Sequence, residues 1–272
     1  MIRIILILFL SFPVALCAQT YQQLSEKAIE YIEMDSLSKA EELLLQALKL
    51  EPKNAKNAML FSNLGLVQRR LGEYDKALES YSFALNFAPL AVPILLDRAA
   101  INLEMGNTDR AYTDYCQVLD EDKQNKEALL MRAYIYVLRR DYPAARIDYN
   151  RLLEIDPQSY SGRLGLATLE QKEGRFKEAL EILNKMIAAT PEDATLYIAR
   201  ADVEREMKHE DLALVDLEEA IRLNPSSADA YLLRGNIYLT QKKKALAKID
   251  FEKAISLGIP PADLHEQLKQ CK

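Results

Sequence analysis

Four arginine–aspartate pairs recur along the chain with the same separation of 16 residues. The pairs are Arg98 with Asp114, Arg132 with Asp148, Arg200 with Asp216, and Arg234 with Asp250. A guanidinium binds a carboxylate through two parallel hydrogen bonds, and that carboxylate can belong to the protein or to a ligand. Because each arginine has an aspartate at a constant spacing, we predict four structural ion pairs, with capture of a ligand carboxylate as the alternative.

Other residues that could do chemistry are sparse. The chain has two histidines, His209 and His265, and it contains no HExxH, CxxC, GxSxG or glycine-rich phosphate-binding motif. Adjacent carboxylates such as Glu218 and Glu219 do not converge on one helix face. The sequence therefore predicts that the protein is not an enzyme and has no catalytic residues, no metal site and no cofactor.

An alanine returns every 34 residues along most of the chain. The alanines are Ala77, Ala111, Ala145, Ala179, Ala213 and Ala247, with Ala40 upstream after an offset of three residues. Recurrence at a fixed period indicates a repeated structural unit. With this alanine at position 20, repeats 1 to 7 are residues 21–54, 58–91, 92–125, 126–159, 160–193, 194–227 and 228–261.

Each repeat has the pattern of two short helices joined by a turn. Position 8 is always small, position 24 is always bulky, and turn residues such as Leu71-Gly72-Glu73-Tyr74 occupy positions 14 to 17. Proline at position 32 of five repeats ends the second helix, because it lacks the amide donor. We expect position 8 to face position 20 and position 4 to face position 24. Helices this short are marginal alone in water, so adjacent repeats must stack.

The residues of repeat 2 give this pattern a resemblance to a known family. Its Phe61, Leu64-Gly65, Ala77, Tyr81 and Pro89 are similar to the bulky residue, Leu-Gly, Ala, aromatic residue and Pro of the tetratricopeptide repeat (TPR). The resemblance covers all seven repeats. It implies an all-α fold, a right-handed α-α superhelix that is a solenoid of antiparallel helix pairs.

The resemblance also implies where a partner binds. In such proteins, positions 2, 5, 6, 9, 12 and 13 of the first helix line the concave face and hold peptides. Carried over to this chain, these positions imply a groove that includes Leu96, Ala100, Leu103, Leu130, Tyr134, Val137, Leu138, Thr168, Gln171, Asp202, Arg205 and Asn236. Packing between adjacent first helices is the alternative explanation for its apolar members. We expect Tyr134 and Val137 to contact an amphipathic helix or an extended segment of a partner protein.

The net charge of −6, with both signs interspersed, argues against nucleic acid as a partner. After repeat 7, Ile259-Pro260-Pro261 interrupts the pattern, and residues 262–272 begin one more helix. We expect this segment to cap the open end of the stack.

The amino terminus has the pattern of a secretory signal peptide, residues 1–18. Arg3 is followed by the apolar run Ile4 to Leu10 and by a small-residue exit at Ala15-Leu16-Cys17-Ala18. This run is too short for a membrane span of about 20 residues. The sequence predicts export to the periplasm or secretion from a bacterial-type cell. The alternative makes Cys17 the lipidated first residue of a lipoprotein, although Leu16 is bulkier than the residue that usually precedes such a cysteine.

These features together favour an exported, non-enzymatic scaffold or adaptor that binds a partner peptide or helix in its concave groove. The alternative is a lipid-anchored accessory subunit of an envelope enzyme, secretion complex or transport complex. Modification of Cys17 distinguishes the two hypotheses. Neither the identity of the partner nor the oligomeric state follows from the sequence.

Overall fold

The computed structural model describes residues 20–271, and within them it contains α-helices and one 3₁₀ turn but no β-strand. The predicted signal peptide, with Cys17, lies outside the described residues. The helices are α1 (Tyr21–Glu33), α2 (Leu37–Leu50), α3 (Asn57–Arg70), α4 (Tyr74–Phe87), α5 (Val92–Glu104), α6 (Thr108–Glu121), α7 (Lys126–Leu138), α8 (Tyr142–Ile155), α9 (Tyr160–Lys172), α10 (Phe176–Ala189), α11 (Ala194–Glu206), α12 (Glu210–Leu223), α13 (Ala228–Thr240), α14 (Lys244–Ser256) and α15 (His265–Gln270).

The helices from α1 to α14 form antiparallel hairpins, and each hairpin packs against the next within two compact units. We call residues 20–121 the N-terminal stack and residues 122–271 the C-terminal stack. The first helix of every hairpin begins within one residue of the start of a sequence repeat. First helices also touch one another, α1 with α3 and α3 with α5 in the N-terminal stack, and α7 with α9 and α11 with α13 in the C-terminal stack.

Small residues inside the hairpins make room for large rings. The alanine at position 20 is completely buried in all seven repeats. A Cβ atom added to Gly65 or Gly235, both at position 8, would lie 2.8 Å from the ring of Tyr81 or Phe251 at position 24. The ring at position 24 therefore reaches position 8, which the sequence analysis pairs with position 20. This contact explains why position 8 has to be small.

One position sets the turn of every hairpin. Position 15 has a left-handed backbone conformation in all seven repeats, with φ between 56° and 79°. The residues are Asp35, Gly72, Gly106, Arg140, Gly174, Lys208 and Lys242. Glycine adopts this conformation without cost, whereas a residue with a Cβ atom is strained there. The turn geometry is thus common to all repeats, although only three of them use glycine.

The chain after α14 folds back onto the last hairpin. The 3₁₀ turn Pro261–Leu264 leads into α15, and Leu264 is 2% exposed in a cluster with Ala247, Phe251 and Ala254. Leu268 packs against the same cluster. This segment covers part of the apolar surface of the last hairpin.

Candidate functional site

The structure brings together each arginine and aspartate that the sequence pairs. Two parallel hydrogen bonds join each guanidinium to its carboxylate, with nitrogen-to-oxygen distances between 2.6 and 2.9 Å. The four aspartates are 2 to 6% exposed. The hydrogen bonds to Asp216 and Asp250 raise the pKa values of Arg200 and Arg234. These donors join the two helices of a hairpin and are occupied within the protein.

The C-terminal stack has an open cavity of about 440 Å³ among its last three first helices, α9, α11 and α13. All of its lining residues are at the groove positions 2, 5, 6, 9, 12 and 13. They are Leu164, Thr168, Gln171, Lys172, Thr195, Ile198, Ala199, Asp202, Asp229, Leu232, Leu233 and Asn236. The size of this cavity is within the range of ligand-binding pockets in proteins.

Four of the candidate groove residues line this cavity: Thr168, Gln171, Asp202 and Asn236. The aliphatic floor beside them was not among the predicted groove residues; it is formed by Leu164, Ile198, Leu232 and Leu233. The same position rule would have found these residues, because they occupy positions 5 and 6. The cavity therefore combines an apolar floor with polar walls.

Hydrogen bonds within the cavity wall fix one of its acidic groups. Asp202 accepts hydrogen bonds from Gln171 Nε2 at 2.8 Å and from the guanidinium of Arg205 at 2.6 and 3.0 Å. Its charge is therefore largely balanced. The side-chain amide of Asn236, in contrast, makes no hydrogen bond to any residue between 20 and 271. A free amide can both donate to and accept from a peptide group of another chain.

Four further candidates lie on α7, where the structure separates exposed from packed residues. Tyr134 is 46% exposed and Leu138 is 53% exposed. Leu130 and Val137 instead pack against the cluster of Ala133, Ala145, Tyr149 and Leu169. Burial and, to a smaller extent, the neighbouring Tyr134 raise the pKa of Tyr149 to about 12. Tyr134 thus presents more surface to a partner than Val137, which also stabilises the fold.

The remaining apolar candidates lie in the N-terminal stack. Leu96, Ala100 and Leu103 are half-buried on α5. Because α5 packs against α3, part of their apolar surface serves contacts between first helices. Nearby, Arg69 forms an ion pair with Glu104. The role of Leu96, Ala100 and Leu103 in partner binding stays a prediction.

Neither a metal centre nor a membrane span is found in the described part of the chain. Between residues 20 and 271, no three histidine, cysteine, aspartate or glutamate side chains converge to hold a metal ion. Over the same residues, every helix is too short or too polar to cross a bilayer.

Comparison with known proteins extends these observations. Family models of the tetratricopeptide repeat match residues 26–91, 96–160, 139–203 and 228–257. Among solved structures, the chain is 37% identical to a tetratricopeptide repeat protein from Parabacteroides merdae, with a TM-score of 0.84 over 93% of this chain and 99% of that one. A search of the curated proteins found no match.

Two more distant structures share the fold alone. A Pseudomonas aeruginosa protein, pilF, is 16% identical with a TM-score of 0.60, over 77% of this chain and 94% of that one. A chain of the APC/C hetero-tetramer Cut9-Hcn1 is 13% identical with a TM-score of 0.65, over 92% of this chain and 55% of that one. The repeat-by-repeat match and the close structural relative lead to one conclusion: this chain belongs to the tetratricopeptide repeat family.

Proposed function

We propose that this protein is a non-catalytic scaffold that holds a segment of another protein against its first helices. The fold supports a role in protein–protein interaction, and the cavity in the C-terminal stack carries the finer proposal. All of its lining residues occupy groove positions, and its aliphatic floor can bury an apolar side chain of a partner.

The polar wall supports an extended segment as the occupant of this cavity. A partner in extended conformation exposes main-chain amides, and the free amide of Asn236 can donate to and accept from one of them. Leu232 and Leu233 lie beside it in the cavity and can contact the adjacent side chain. Asp229, which is exposed, adds a negative charge at the same end. The cavity therefore fits an extended segment with an apolar anchor residue.

Site-specific photocrosslinking in the cells of origin tests this proposal. A photoreactive amino acid at Thr168 should yield a discrete crosslinked partner, whereas the same amino acid at Asn150 should not. Asn150 is exposed on α8 in the same stack and does not line the cavity. The Asn236→Ala variant should reduce the Thr168 adduct several-fold without changing the melting temperature. Equal adducts from Thr168 and Asn150 would contradict the proposal.

Tyr134 provides a second, independent position. Because its side chain is 46% exposed, Tyr134→Ala should leave the melting temperature nearly unchanged. If the partner extends along α7, the variant should weaken binding of the crosslinked partner. Val137→Ala should instead lower stability, because Val137 is partly buried and packs against the core. Unchanged affinity of Tyr134→Ala would remove this residue from the site.

Export of the chain is part of the proposed function. The support is the amino-terminal pattern of Arg3, the apolar run Ile4 to Leu10 and the small-residue exit. Mass spectrometry of the protein from its native cells should find a mature chain beginning at Gln19. A diacylglyceryl group on Cys17 would instead favour the lipid-anchored accessory subunit. An uncleaved amino terminus would contradict both hypotheses.

A further inference from the structure

A second cavity, of about 300 Å³, lies in the N-terminal stack. Helices α4, α5 and α6 form it, with Leu78, Ser82, Arg98, Asn102, Arg110, Thr113 and Asp114 as its lining. None of these residues occupies a groove position, so this cavity is separate from the proposed protein-binding face.

Arg98, in the wall of this cavity, differs from the other three paired arginines. In each of the others, the guanidinium carbon lies over a tyrosine ring. It is 5.9 Å from the centre of the Tyr136 ring in Arg132 and 5.6 Å from the centre of the Tyr197 ring in Arg200. In Arg234 it is 5.5 Å from the centre of the Tyr231 ring and 5.9 Å from the centre of the Tyr238 ring. These tyrosines are at positions 4 and 11. Repeat 3 has Leu95 and Asn102 at those positions, and no aromatic ring among residues 20–271 lies over Arg98.

The hydrogen bonds of Arg98 occupy the edges of its guanidinium. Nε and Nη2 donate to Asp114, and Nη1 donates to Ser82 Oγ at 3.2 Å. Arg200 has the same arrangement, with Asn184 in place of Ser82, and its guanidinium carbon lies over the Tyr197 ring. The face of a guanidinium attracts an aromatic ring even when its edges are bonded. Arg98 therefore lacks the ring contact of the other three arginines, and its side chain, which is 24% exposed, borders an open cavity instead.

Two further groups in the wall can bind an anion. Asn102 is 3% exposed; its Oδ1 accepts from Asn107 at 3.4 Å, and its amide nitrogen has no acceptor among the described residues. Arg110 is exposed at the rim, and its side chain forms no ion pair within residues 20–271. Asp114 balances the charge of Arg98, whereas nothing in the lining balances that of Arg110. The cavity therefore combines a guanidinium, that of Arg98, which can contact an aromatic ring, with a rim that carries a net positive charge.

We propose that this cavity binds an aromatic ring that carries a carboxylate. The ring lies on the guanidinium of Arg98, where a tyrosine of the chain itself lies on Arg132, Arg200 and Arg234. The carboxylate binds Arg110 and the amide nitrogen of Asn102. A free aromatic acid and a peptide that ends in an aromatic residue both offer this chemistry.

Calorimetry and ligand-detected NMR on the purified full chain test the proposal, with 4-hydroxyphenylacetate as the probe. We expect saturable binding with one site per chain. Cyclohexylacetate, which has the same charge but no aromatic face, should bind about five-fold more weakly or worse. A short peptide with a carboxy-terminal tyrosine is the second probe. Tighter binding of the peptide indicates a protein ligand, and tighter binding of the free acid indicates a small molecule.

Two variants locate the site. Asn102→Tyr places a ring where Tyr136 and Tyr238 have theirs and should abolish binding of the probe. Arg110→Gln should weaken it about ten-fold, because a charged hydrogen-bond donor is lost. The matched control is Arg151→Gln, an exposed arginine on α8 that lines a different cavity and should leave the affinity unchanged. Circular dichroism verifies that each variant folds.

A variant in the groove distinguishes the cavity beside Arg98 from the proposed protein-binding site. Asn236→Ala, in the proposed groove, should bind 4-hydroxyphenylacetate as the unmodified protein does. If Asn102→Tyr fails to fold, the affinity of Arg110→Gln for the probe tests the proposal alone. This variant should fold, because the exposed side chain of Arg110 has no structural partner in residues 20–271. Absence of saturable binding of both probes, equal affinity for cyclohexylacetate, or unchanged affinity in Arg110→Gln would overturn the proposal.

Discussion

The N-terminal and C-terminal stacks are built from the same hairpin, but they leave different surfaces open. In the C-terminal stack, tyrosine rings cover all three paired arginines, and the open cavity lies among the first helices. In the N-terminal stack, no aromatic ring of the described residues lies over Arg98, and a cavity borders its ion pair. The four paired arginine side chains are similarly exposed, at 19 to 25%, so the residues at positions 4 and 11 decide whether a tyrosine ring lies over the arginine and not how exposed the ion pair is.

The stacks also differ in how they make the same turn. Position 15 is glycine in two of the three hairpins of the N-terminal stack but in only one of the four hairpins of the C-terminal stack. The remaining turns hold Asp35, Arg140, Lys208 and Lys242 in the left-handed conformation. Contacts within the stacks thus maintain a backbone geometry that four of the seven residues do not favour by themselves.

Breaking a buried ion pair should have the largest effect. Arg132→Met leaves Asp148, which is 2% exposed, without its counter-ion, and we expect the free energy of unfolding to fall by about 3 kcal/mol. Asp148→Leu should cost a similar amount, whereas the double variant should lose much less than the sum. Urea denaturation followed by circular dichroism measures these changes.

The same set of two single variants and one double variant, made at Arg98 and Asp114, compares the two stacks. Arg98→Met should cost about 1 kcal/mol less than Arg132→Met, because Arg98 has no ring to lose. The exposed pair of Lys185 and Glu181 is the control and should show a coupling of at most about 0.5 kcal/mol. Additive effects of Arg132→Met and Asp148→Leu would argue against a structural role for the pair.

Exchanging the residue at position 11 between the two stacks should have an intermediate effect on the free energy of unfolding. Tyr238→Asn removes a ring that packs against the cluster around Phe251 and lies over Arg234, so the free energy of unfolding should fall by about 2 kcal/mol. Asn102→Tyr should raise it by up to about 1 kcal/mol, because a ring fills the cavity over Arg98. Thermal unfolding measures both changes.

The exposed Tyr74, on α4, is the control for this exchange. Tyr74→Asn should change the melting temperature little, because the side chain is 40% exposed. A strong loss of stability in Asn102→Tyr would show that the site over Arg98 does not admit a ring, and the parallel between repeats 3 and 7 would fail.

Exchanging the turn residues should have the smallest effect. Lys208 has φ of 65°, so Lys208→Gly should raise the free energy of unfolding by about 1 kcal/mol. Gly106→Lys should lower it by a similar amount; no atom lies within 4 Å of a Cβ at Gly106, so the effect is conformational. Lys208→Ala retains a Cβ atom and should not stabilise. Equal stabilisation by alanine and glycine would show that the gain has another origin.

Sequence periodicity predicted the all-helical fold and the helix starts, because these features depend on local spacing. The spacing of 16 residues predicted the arginine–aspartate partners for the same reason: both helices of a pair belong to one hairpin. The sequence allowed the groove positions to be named, but it did not allow the exposure of their side chains to be predicted. Val137 and Tyr134 both occupy such positions, but Val137 is partly buried against Tyr149 and its neighbours, whereas Tyr134 is exposed. The cavity over Arg98 was missed entirely.

The amino-acid sequence by itself determined that the chain forms stacked hairpins, where each turn lies, and which arginine binds which aspartate. These properties come from residues within a single repeat, whose spacing repeats along the chain. Only the tertiary structure decided that a cavity borders the ion pair of Arg98 and Asp114. The cavity over Arg98 depends on Leu78 and Ser82 of the preceding hairpin as much as on Asn102, and side chains from three helices have to pack together before such a space exists.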